Sequence, residues 1–134
     1  MLAIADSGFI AAIFARSVPR QQTWALNLMR KAQLPILTTA LNIFEASALT
    51  LNHEGVMRLV MEGDFKMAMN FAEEQEFLYA LLKKYPERMD LPDAAIVRLS
   101  ELFPRHTVLT LDKKDFQIYR RFKNERIPCE FPPG

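Results

Sequence analysis

Five short apolar runs, "LAIA", "PILT", "FKMAMNF", "HTVLTL" and "IPCEF", punctuate this chain, and between them apolar residues recur at helical spacing. No other feature limits the fold as much, because parallel strands become neighbours only through long crossovers, usually helical and right-handed. Leu2 to Ala5 is too short for a helix and suits a buried strand. "QQTWALNLMRKA" sets Trp24, Leu28 and Met29 on one helical face and stops before Pro35. A strand at Ile36 to Thr38 is followed by a helix expected from about Leu41, then by a shorter one through "HEGVMRLVMEGD". Phe65, Met67, Met69 and Phe71 alternate, which predicts a strand over 65–71, and Ala72 to Tyr85 returns to helical spacing. Asp93 opens the best-marked helix, "DAAIVRLSELF", which Pro104 closes, and "KKDFQIYRRF" predicts a last helix before "IPCEF". The expectation is an α/β fold with a central, mainly parallel five-stranded sheet.

Composition removes several classes of function. With 134 residues, half of them hydrophobic, the chain has the size of one ordinary domain, taken here as residues 1–134. Seventeen basic and sixteen acidic residues give a net charge of +1, so any nucleic-acid contact must be a local patch. One cysteine, Cys129, cannot form an internal disulfide, and no basic stretch precedes the first apolar run, so a cytoplasmic location is expected. Asp6, Arg16 and Arg20 interrupt that run well short of the roughly 20 residues needed to span a membrane. Phosphate-cradling glycine loops are absent, and His53 and His106 lack any metal-ligand spacing.

Four acids stand where the alternation becomes chemically useful. Asp6 ends the first strand, Glu45 lies in the first turns after the second, Asp93 heads its helix and Asp112 ends "TVLTL". Open parallel sheets collect ligands beyond their strand C-termini, so all four can converge on one edge. Taken alone, Asp6 with Ser7 also reads as a helix N-cap. Converging carboxylates repel: a pair about 4 Å apart costs about 4 kcal/mol at an effective dielectric of 20. A cation must compensate. Oxygen-only donors suit Mg²⁺ or Mn²⁺, which keep waters and bind phosphate oxygens, and a phosphodiester then becomes the natural substrate.

"IADSGF", "TTALNIFEAS", "DLPDAAIVRLSE" and "TLDKKDF", in this order over nearly the whole chain, resemble the PIN-domain ribonucleases, and most nearly the VapC-type toxins of VapBC toxin–antitoxin pairs. The resemblance implies a PIN-like α/β/α sandwich, a Mg²⁺- or Mn²⁺-dependent endoribonuclease site, a cognate antitoxin and a homodimer with contacts such as Met57 and Leu59. It places the family's acids on Asp6, Glu45, Asp93 and Asp112, with Ser7 and Thr110 as supporting hydroxyls.

Each of the later motifs contains a second carboxylate. Asp90 is expected to cap the helix that Asp93 opens, and Asp115 to cap the last helix, which ranks both second as ligands. Arg98, Lys113, Lys114, Arg120 and Arg121 are candidates for contact with RNA phosphates, set against the competing reading of a solvated helical face. A noncatalytic PIN-fold RNA-binding or scaffold protein is the alternative function, disfavoured because no acid is missing. A haloacid-dehalogenase-like phosphatase wants a second aspartate two residues past the first, where this chain has Gly8, and a receiver wants paired acids after its first strand.

Overall fold

The computed structural model describes residues 1–134. In chain order it contains β1 (Ala3–Ala5), α1 (Ser7–Ile13), α2 (Pro19–Lys31), β2 (Ile36–Thr38), α3 (Ala40–Thr50), α4 (His53–Met61) and β3 (Phe65–Met67). There follow α5 (Phe71–Lys84), α6 (Leu91–Leu102), β4 (Thr107–Leu109), α7 (Lys113–Phe116), β5 (Arg120–Arg121), β6 (Glu125–Arg126) and β7 (Cys129–Glu130). Five strands form one sheet in the order β3-β2-β1-β4-β7, and every pairing in it is parallel. β1 lies in the middle, with Ile4 opposite Leu37 on one side and Val108 on the other.

Period-two alternation sends adjacent strand residues to opposite faces, and each face has its own core. Ala3, Ala5, Ile36 and Leu109 pack with Phe9, Ile10, Leu28, Ile43 and Val56 from α1 to α4. Ile4, Leu37 and Val108 pack with Leu78, Ile96, Leu99, Phe116 and Tyr119 from the α5–α7 side. The result is an α/β/α sandwich with a five-stranded parallel sheet, as the sequence pattern predicts. Trp24 meets Phe9 edge to face at 5.5 Å, which makes it a packing anchor. No helix is long and apolar enough to cross a membrane.

Three element boundaries differ from expectation, each for a local reason. The strand predicted over 65–71 stops at Met67, because Asn70 accepts the Ala72 and Glu73 N–H groups and starts α5 there. The helix assigned to Asp93 begins at Leu91 instead; Pro92 is accommodated in its first turn and Asp90 caps it, as expected of Asp90. The last helix ends at Phe116, where a β5–β6 hairpin takes over, turning through Phe122 and Lys123 with left-handed φ values of 46° and 69°. Asn-Gly or Asp-Gly usually marks such a turn, and neither is present.

Candidate metal centre

Each acid is positioned by the element that precedes or follows it. Asp6 leaves the central strand, its N–H donating to the Leu109 carbonyl at 3.3 Å, while its Oδ1 accepts the Phe9 N–H at 2.9 Å and caps α1. The capping reading of Asp6 is therefore met. β2 is tied to β1 by the Thr38 hydroxyl, which donates to the Ala5 carbonyl at 2.8 Å. Thr39 then caps α3, which carries half-buried Glu45. One turn before Glu45, buried Asn42 donates to Ser7 Oγ at 3.0 Å and to the Pro92 carbonyl at 3.4 Å, so a single amide joins α3 to the starts of α1 and α6. Thr110 is fully buried and its hydroxyl accepts the Asp112 N–H at 2.9 Å.

Asp93, Asp112 and Asp115 present oxygen atoms that all lie within 4.8 Å of one another. Burial pushes Asp6 up to about 6; the Thr110 and Phe9 hydrogen bonds oppose the rise, and the charges of Asp112 and Glu45 add to it. Burial likewise pushes Asp93 up to about 7, followed in weight by the charge on Asp90, with Asp112 and Asp6 contributing and Tyr119 opposing. Asp112 is raised too, first by burial and then through Asp115 and Asp90. Of the four acids named from the sequence, Asp93 and Asp112 belong to this cluster, with Asp115 as its third member; Asp6 lies outside it but its charge reaches Asp93, and the charge of Glu45 reaches Asp6.

Asp115 requires a correction. It does not cap α7; Asp112 does, accepting the Asp115 N–H at 3.0 Å, because the helix begins at Lys113, as "KKDFQIYRRF" predicts, and so leaves Asp115 inside its first turn. The Asp115 carboxylate is instead free to take Arg88, whose Nη1 lies 2.6 Å from Oδ1. Three of the five proposed phosphate-binding cations are also committed elsewhere. Arg121 is buried, donating to the Ser100 and Pro104 carbonyls at 2.8 and 3.1 Å and to Glu125 at 2.8 Å. Arg98 is paired with Glu74 and Glu101 and lies 3.5 Å over the Phe77 ring. Arg120 Nη1 donates to the carbonyls of Gln117, Ile118 and Tyr119. Lys113 and Lys114 are exposed and make no ion pair.

Sequence reasoning missed Asn42, Arg88 and Tyr119. Asn42 had a signal, since a polar residue three positions before Glu45 shares its helix face. Arg88 and Tyr119 had none, because both reach the acids through the fold.

No protein-family model matches the chain, and no curated protein matches it. The donor set itself fits a hard divalent cation: it is oxygen-only, and burial together with mutual repulsion already burdens its carboxylates. Cys129 supplies no soft alternative, since burial, aided by the Asp6 charge, pushes its thiol up to about 12.

Proposed function

We propose that this protein is a Mg²⁺- or Mn²⁺-dependent endoribonuclease of the PIN type, the toxin of a toxin–antitoxin pair. The observation that carries the reading is the cluster of Asp93, Asp112 and Asp115 oxygens within 4.8 Å, with the charge of Asp6 reaching Asp93, at the C-terminal edge of a parallel sheet. Asp6, Asp93 and Asp112, with Glu45, would hold the cation. A divalent ion there supplies water activation and charge compensation at a phosphodiester. The chain's own groups do the positioning. Phe9 N–H fixes Asp6, the Asp115 N–H fixes Asp112, and the Tyr119 hydroxyl holds Asp93 at 2.9 Å.

The antitoxin in this reading covers the acidic edge with a basic side chain, and its binding competes with the metal. A homodimer would draw on exposed apolar side chains such as Phe44, Leu49, Met57 and Met61. Leu59, expected among those contacts, packs on the core instead. RNA cleavage by the purified protein should require Mn²⁺ or Mg²⁺, stop with a chelator and vanish in Asp93→Asn. Cleavage undiminished by chelation would overturn the reading.

A further inference from the structure

Beside the acidic edge lies a cleft of about 500 Å³, within the roughly 300–1,000 Å³ typical of ligand sites. Leu111 and Lys113, which flank Asp112, form part of its wall, and Arg20 and Gln21 from the first turn of α2 form another part. Phe131 adds a half-buried aromatic ring. A neighbouring groove shares Gln21 and Leu111 and reaches Gly8, where a Cβ would lie 3.7 Å from both Asp6 Oδ1 and the Leu111 side chain. The cleft is therefore continuous with the rim of the acid site, one leucine side chain away.

Three independent features of the cleft favour an anion with an apolar face. Arg20 and Lys113 are exposed and take part in no ion pair or side-chain hydrogen bond. The α2 N-terminus has no capping side chain and no acid in its first turn, so its positive end and free N–H groups are uncompensated. Leu111, Phe131 and nearby prolines offer the apolar surface on which a base can rest. The acid site next door is the electrostatic opposite: its carboxylates would hold a cation, whereas this cleft offers positive charge to an anion.

We infer that the Arg20–Lys113 cleft is a nucleotide subsite, taking the phosphate and base that flank the scissile bond of a single-stranded RNA. The inference rests on the nuclease reading of the acid site, which is why binding and cleavage are read separately. The test measures fluorescence anisotropy of a labelled single-stranded RNA octamer with the full-length protein in EDTA, where no cleavage occurs. The Arg20→Ala/Lys113→Ala double variant should bind roughly tenfold more weakly, and its log affinity against log salt should flatten by about 1.4, which is two phosphates at roughly 0.7 each. Arg30→Ala/Lys31→Ala removes the same charge from the opposite end of α2 and should change affinity less than about twofold.

Equal weakening by the two double variants would reduce the effect to net charge and overturn the subsite, as would unchanged binding in Arg20→Ala/Lys113→Ala. Displacement of the RNA by a glutamate octapeptide as effectively as by unlabelled RNA would also overturn it, because a nucleotide site discriminates by base as well as charge. Wild-type cleavage in Mn²⁺ is scored on its own. If the octamer binds through Arg20 and Lys113 while no cleavage occurs, the subsite stands and the nuclease reading falls.

Discussion

Tyr119, with no exposed surface, donates its phenolic hydrogen to Asp93 Oδ2 at 2.9 Å and approaches the Arg88 carbonyl at 3.3 Å. Burial and the adjacent Asp93 charge raise the phenol's proton affinity beyond its usual range, so the group remains a donor throughout neutral pH. Its ring is wedged edge to face between Tyr85 and Phe116. Asp93, one of the clustered carboxylates, is thus held by a buried side chain packed between two other rings.

Tyr119→Phe should keep the ring packing and lose the bond. We expect a destabilisation of about 1–2 kcal/mol at pH 8, where Asp93 is ionised, and less at pH 5. Mn²⁺ affinity should fall roughly 10- to 100-fold, as for other residues that orient a metal ligand. Urea melts at both pH values and a metal titration check this; wild-type Mn²⁺ affinity in the variant would contradict it.

Metal-free stability should depend on pH in an unusual direction. Asp6 and Asp93 hold their protons up to about 6 and about 7 in the folded chain, against roughly 4 when unfolded. The folded state therefore binds more protons between pH 4 and 7, and stability drops as pH rises through that window before levelling off. Thermal melts in EDTA should show a higher melting temperature at pH 5 than at pH 7.5. Saturating Mn²⁺ should reverse the order, since metal and protons compete for the same oxygens.

Asp112 and Asp115 should separate on substitution. Asparagine caps as well as aspartate, so Asp112→Asn keeps α7 and loses charge at the site, and we expect cleavage to drop roughly 100-fold or more with little change in melting temperature. Asp115→Asn breaks a partly exposed pair with Arg88, costing at most about 1 kcal/mol, and should retain more activity. Arg88→Ala releases the Asp115 carboxylate and should tighten Mn²⁺ binding in a calorimetric titration.

Arg121→Ala should lower stability by about 3 kcal/mol, because the carbonyls of Ser100 and Pro104 lose their buried donor at the end of α6. RNA affinity per folded molecule, measured by anisotropy, should be unchanged. A folded variant with weakened RNA binding would return Arg121 to the substrate path.

The five strands of the main sheet were legible because each lies in a short apolar run, and at the centre neighbours alternate between two cores, as Ile4 and Ala5 do, whereas the charged pairs of the β5–β6 hairpin carry no such pattern. Asp6 and Asp112 were legible because a residue after a parallel strand must emerge at the same edge. The Asn70 start of α5 was not, since Phe71 serves the core equally well from a strand or a helix. Arg98 and Arg121 read as surface cations because no local pattern announces a partner; Glu74 is brought to Arg98, and Ser100 to Arg121, only by tertiary packing. Asp115 failed for a subtler reason: a helix that starts at Lys113 is capped by the acid that ends the strand, so Asp112 serves as cap as well as strand-end carboxylate and the Asp115 side chain is left free.

Asp6, Glu45 and Asp93 are all translated before β4, yet it is β4 at Thr107–Leu109 that brings Asp112 and Asp115 beside them and receives the Asp6 N–H. No local stretch of the chain carries a complete set of acids, and no fragment ending before β4 can assemble one. The acid cluster is therefore complete only after the strand at the sheet's centre has acquired its second neighbour, so on the nuclease reading we propose a growing polypeptide would have no assembled site until then.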